Sequence, residues 1–202
     1  MTNTAATAER TVIGTALAAE FREEAGTTRR VLERVPADKL GWRPHRKSLT
    51  LGQLALHIAA APGRLVPLLQ KTEHEINPSS LQFPEPATPA EILAAFDQTV
   101  QDAGAYLDGL TDEQALAAFT LKANGKTIFT RPRQGVVRMI MFSHIFHHRG
   151  QLSVYLRQLD VPVPSIYGPS GDENPFAQAR ANRQWREDTA QPGAAAPGGD
   201  LC

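Results

Sequence analysis

The chain has 202 residues, 42% hydrophobic and 21% charged, and its 21 Lys and Arg balance 21 Asp and Glu to a net charge of zero. That composition fits a globular protein with one core, short for two full domains, and it lacks the basic footprint of a nucleic-acid binder. The only cysteine is the last residue, Cys202, so no internal disulfide can form.

The opening MTNTAATAER has neither the basic start nor the apolar run of a secretory signal. No apolar run is long enough to span a bilayer. A cytoplasmic protein with no membrane or nucleic-acid partner is therefore expected. Residues 1–9 read as a disordered N-terminus, 10–187 as one helical domain, and the Ala, Pro and Gly-rich 188–202 as a disordered tail.

The first predicted helix runs from about Arg10 to Arg34, with Ile13, Leu17, Phe21, Val31 and Val35 along its apolar stripe and Pro36 after its end. The second opens after KSLT, where Ser48 or Thr50 suits the N-cap, and Pro62 is expected to kink it one turn beyond His57. A Pro, Ser and Asn-rich segment, Thr72 to Ala87, reads as a crossover loop. Helix three starts at TPAE, with Thr88 as cap, Pro89 first and Glu91 placed to close a capping box, and it ends near Gly109. TDEQ, Thr111 to Gln114, opens a shorter helix by the same logic. Asn124-Gly125 between β-prone flanks reads as a hairpin. The last long helix spans about Pro132 to Leu159, and AQARANRQWRED further on suits a short helix. The expected fold class is all-α: a four-helix bundle with a small β-hairpin insertion before the last long helix.

Within that last helix, FSHIFHHRGQL holds three of the six histidines. At about 100° per residue, His144 and His148 share one face, together with Val137, Ile140, Met141, Gln151 and Tyr155. Two imidazoles so spaced can reach one metal ion. His147 falls at the edge of the stripe, better placed beside such a site than in it. His57, set among LALHIAAA with little else to bond, is the leading third ligand. Three histidines with an open position is the donor set of catalytic zinc sites. Core histidines satisfied by ordinary hydrogen bonds are the plain alternative. HExxH and Glu-x-x-His patterns are absent, which disfavours those zinc-protease and di-iron frameworks.

HIFHHRGQLSVYLRQLDVPVPSIYGPSGDE resembles the closing motif of the DinB-like superfamily of metal-binding four-helix bundles, and VLERVPADKLGWRPHRKSLTLGQLALHIA is similar to the segment carrying that family's first histidine. The resemblance runs from about Glu20 to Phe176. It implies a divalent metal (Zn, Ni or Fe) held by His57, His144 and His148, with His147 outside the ligand set. The superfamily includes transferases and isomerases that use small thiols, and many members with no known reaction. The extra domain of its mycothiol-dependent isomerases has no counterpart in this pattern.

The expected activity is metal-dependent activation of a small thiol, giving S-transfer, or of water, giving hydrolysis, on a small-molecule substrate. A non-catalytic metal-binding stress-response module and a purely structural bundle are the competing readings. Glu24, central on the first helix's apolar stripe, is a candidate general base; a slightly rotated helix would put it at the solvent edge instead. Gln53, Gln151 and Tyr155 are candidate pocket residues or exposed bundle-end residues. Arg149 points away from the ligands and suits a structural ion pair. Asp172 and Glu173 either fold over the site or sit in a solvated loop. Met139, Phe142 and Phe146 form an apolar back to the last helix, for which a homodimer is the favoured cover and the hairpin or C-terminal segment the alternatives.

Overall fold

The computed structural model describes residues 10–177. These fall into two units, one reaching to Pro162 and one starting at Val163. The expected termini, and all of the expected helix in AQARANRQWRED beyond Ala177, lie outside the described residues.

In the first unit, α1 covers Val12–Leu32, α2 Leu51–Leu69, α3 Pro89–Asp108 and α4 Asp112–Leu116. The last long helix starts with a short α5, Arg133–Val136, passes through a π-helical stretch, Val137–Ser143, and continues as α6, His144–Gln158. Helix α2 packs on α3, α1 on α3, and α6 on both α2 and α1. Among the described residues no helix is long and apolar enough to cross a membrane.

The caps explain where these helices start. Thr50 Oγ1 accepts the Gln53 N–H while Gln53 Oε1 accepts the Thr50 N–H, both at 3.1 Å. Thr111 and Gln114 repeat the arrangement at α4. Thr88 Oγ1 accepts the Glu91 N–H, but Glu91 Oε2 reaches back to the Ala87 N–H rather than to that of Thr88. Two further N–H groups at the head of α2, those of Leu51 and Gly52, donate to Trp42 O and Leu40 O at 2.8 and 2.9 Å. The α2 helix runs on through both Pro62 and Pro67.

One core joins these elements. Leu17 and Phe21 of α1, Leu65 and Leu69 of α2, and Leu107 of α3 meet Met141 and Phe142 of the π stretch. Close approach is built in by glycine: a Cβ at Gly14 would stand 2.6 Å from Leu107 O, and one at Gly63 2.8 Å from Thr99 Oγ1. Arg133, 7% exposed, ties the end of α2 to α4 by donating to the carbonyls of Leu69 at 2.7 Å, Lys71 at 3.2 Å and Gln114.

The protein is mostly helical, and its sheet has three strands in the order β1-β2-β3. Strands β2, Ala118–Ala123, and β3, Lys126–Pro132, pair antiparallel; Asn124 and Gly125 between them take φ values of 50° and 72°. The third strand, β1 (Glu73–Ile76), lies in the segment read as loop and pairs parallel with β2, Glu73 opposite Thr120 and Ile76 opposite Ala123. Four residues with two acids carry too little alternation to announce a strand. The pairing is decided by a partner over forty residues away.

On the apolar back of the last helix, Phe142 is covered by its own chain. Phe142 is only 3% exposed, with its ring edge-on to Phe21 at 6.3 Å between centroids. Phe146 lies against the same core, under the Arg149 guanidinium at 5.2 Å. A homodimer through Met139, Phe142 and Phe146 is expected from an ideal 3.6-residue repeat. The π stretch, whose bonds run i to i+5, changes the phase of the helix just before the histidines. Phe142 is thus turned into its own core, while Met139 and Phe146 remain partly exposed.

In the second unit, the loop from Val163 holds itself together. Asp172 Oδ2 accepts the Val163 N–H at 2.8 Å and Glu173 Oε2 the Ser165 N–H at 2.7 Å. Both carboxylates thus serve the loop's own backbone.

Candidate metal centre

Three imidazoles from two helices converge. His57 stands in the middle of α2, while His144 and His148 occupy the first two turns of α6. His144 Nε2 lies 2.9 Å from His148 Nε2 and 3.4 Å from His57 Nε2. All three offer a ligand nitrogen within 4.8 Å of the others, and each ring is partly buried. Among the described residues this is the only such group of His, Cys, Asp or Glu.

The tautomers follow from what the other ring nitrogens meet. His148 Nδ1 donates to Gln151 Oε1 at 2.8 Å, which leaves the Nε2 lone pair pointing inward. His144 Nδ1 is buried and makes no hydrogen bond, although the Ile140 carbonyl one turn back favours a proton on that ring. At 2.9 Å the two Nε2 atoms must share either one proton or a cation, because two facing lone pairs would repel. Burial opposes a second proton on any of the rings: it lowers the pKa of all three histidines, and that of His57 reaches about 4. Neighbouring imidazoles add to the effect, with Arg64 also acting on His57.

The donor set fits a divalent ion. Three neutral nitrogens bound at about 2.0–2.1 Å in tetrahedral directions stand roughly 3.4 Å apart, close to the separations of His144 Nε2 from its two partners. With no carboxylate or thiolate among them, such a set leaves the ion's full positive charge uncompensated.

The other expected site residues separate into those near the cluster and those elsewhere. Gln151 orients His148 as described. Gln53 closes the α2 cap and donates through Nε2 to Phe83 O at 2.9 Å, which holds the loop after β1 beside His57. Phe83 itself packs edge-on to the His57 ring at 5.3 Å, a neighbour that sequence reasoning missed because no spacing rule links a loop residue to a helix face. His147 is exposed, its ring 5.0 Å from that of His148, and it is not in the converging set.

Two further candidates make contacts between distant segments. Glu24 is not a free base: its Oε2 pairs with Arg149 Nη2 at 2.8 Å, and Arg149 is 1% exposed. Arg149 also donates to Thr28 Oγ1 at 3.0 Å, so the carboxylate neutralises a buried cation between α1 and α6. Tyr155 lies at the head of α2, where its hydroxyl donates to Leu49 O at 3.4 Å and its ring meets Trp42 at 5.5 Å.

This combination of a largely helical fold and an inward His triad defines a class, and the comparisons name it. The DinB family model matches residues 1–186, and the chain belongs to that family. It is 29% identical over 150 residues to the uncharacterized protein YrdA of Bacillus subtilis (strain 168), covering 74% of this chain and 85% of the relative. Crystal structures with the same fold include a DinB-like protein from Bacillus cereus ATCC 10987, at TM-score 0.60 and 20% identity over 76% of this chain and 97% of that one. Another is the DinB-like protein YjoA from Bacillus subtilis, at 0.55 and 18%, covering 73% and 96%.

Proposed function

We propose that this DinB-family protein, built on a four-helix bundle, binds one divalent metal ion through the Nε2 atoms of His57, His144 and His148, and uses it to activate a small thiol or water. The carrying observation is the convergence of three imidazole nitrogens from two helices, with His144 Nε2 standing 2.9 Å from His148 Nε2 and 3.4 Å from His57 Nε2. A bound divalent cation would lower the pKa of a thiol or water in its open position to near neutrality.

The chain's own groups prepare that task. Burial keeps the three imidazoles unprotonated at neutral pH. Gln151 fixes the His148 tautomer, while Gln53 and Phe83 hold a loop against His57. All three residues are only partly buried, and a set of three protein ligands leaves a fourth position for a small molecule. That openness favours an enzyme of the S-transferase or hydrolase kind over a closed structural site, in which four protein ligands are the rule.

Elemental analysis of the full chain purified without a histidine tag tests the binding. About one equivalent of Zn, Ni or Fe per chain is expected; under a tenth, with no uptake of added Zn or Ni, contradicts it. Mass spectrometry after incubation with a small thiol and a generic alkylating electrophile then separates catalysis, seen as metal-dependent S-alkylation above the chelated control, from inert binding.

A further inference from the structure

At His57 the histidine cluster borders a shallow cleft lined by Gln53, Leu56, His57, Arg64, Gln82 and Phe83, with Pro84 at its edge. Arg64 follows His57 by seven residues, two turns along α2, so both side chains leave the same helix face. Its guanidinium is exposed and has no hydrogen bond or ion pair to any described residue. Glu85, the acid on the facing loop, is turned instead to Thr50 Oγ1 at 2.8 Å. An arginine left without a counter-charge near the neutral His57 imidazole makes this the electropositive end of the cleft.

From this arrangement we infer that Arg64 is a specificity residue: it recognises a carboxylate on the small molecule that the histidine-bound metal engages. The inference rests on the metal reading above. A guanidinium presents a planar fork that matches a carboxylate with two parallel hydrogen bonds. A phosphate group would call for further cations, and Arg64 is the only one lining the cleft. Leu56 and Phe83 line the cleft with apolar surface, suited to a short hydrocarbon linker. The cleft is too shallow to enclose a whole ligand. It reads an end group and leaves the rest in solvent.

Cobalt(II)-loaded full-length protein provides the test, with the visible cobalt bands as the readout. Two thiols of similar size serve as probes, 3-mercaptopropionate with a carboxylate and 2-mercaptoethanol without one. The expected result is an apparent Kd roughly tenfold lower for 3-mercaptopropionate. In Arg64→Gln that preference disappears while cobalt stoichiometry stays at that of wild type, and Arg64→Lys retains part of it. Equal affinities in the wild type, or a preference that survives in Arg64→Gln, overturn the inference alone. Failure of the wild type to take up cobalt overturns the metal reading, and this inference with it.

Discussion

Arg149 Nη2 lies 2.8 Å from Glu24 Oε2, and this ion pair joins α6 to α1 one residue beyond the metal-facing His148. The arginine is 1% exposed, so its charge is compensated inside the protein or not at all. Glu24→Ala leaves a buried cation unpaired and should cost about 3–5 kcal/mol of stability. Zinc affinity of the folded fraction should change little, because Glu24 holds the helix and not the ion. Urea unfolding and zinc competition against a chelating dye measure the two separately; lost affinity at unchanged stability would return Glu24 to the site.

Gln151 acts on the site through His148. Its Oε1 accepts the Nδ1 proton at 2.8 Å, so Gln151→Ala frees the ring to rotate and to change tautomer. A loss of roughly tenfold in zinc affinity is expected, at the low end for such supporting bonds because Gln151 is exposed. The same dye competition checks it. An unchanged Kd would mean that packing alone orients His148.

Much of this site is legible in the sequence, and what is not has identifiable causes. The Thr50, Thr88 and Thr111 starts are local events between residues three apart, and local rules reach them. The spacing of His144 and His148 puts both on one face because α6 is regular from His144 onward. The π stretch immediately before it obeys another repeat, so a helical wheel carried back through Phe142 misjudges which side is covered. Long-range pairings escape for a different reason. Glu24 with Arg149, β1 with β2, Tyr155 with Trp42 and His57 with Phe83 each depend on how distant segments pack, and no spacing within one segment encodes that.

The buried face of the π stretch yields a stability prediction. Phe142 is 3% exposed and packs on Phe21 and Phe146. Phe142→Ala should therefore destabilise the chain by about 3–5 kcal/mol. Urea unfolding measures the loss, and gel filtration run alongside reports oligomeric state. A shift in elution with unchanged stability would show that this face meets a second copy after all.

The lowered histidine pKa values set a pH dependence for the metal-free protein. His57 takes up a proton at its ordinary 6.5 when unfolded but only near 4 when folded, chiefly because burial disfavours the charge. Between those values the unfolded state binds more protons, so stability falls as pH drops from 6.5 towards 4 and is fully present above 6.5. His144 and His148 shift in the same direction. Urea midpoints of chelator-treated protein at about pH 7.5 and 5 should differ, and His57→Asn should narrow the gap. A gap of the same size in His57→Asn would place the acid sensitivity elsewhere.

X-ray absorption at the zinc edge of the loaded full-length protein tests the central claim most directly. Three imidazole nitrogens at about 2.0–2.1 Å are predicted, falling to two in His57→Ala with weakened retention of the ion. A wild-type spectrum with one imidazole or none, or one that His57→Ala leaves unchanged, would contradict a single cation shared between α2 and α6.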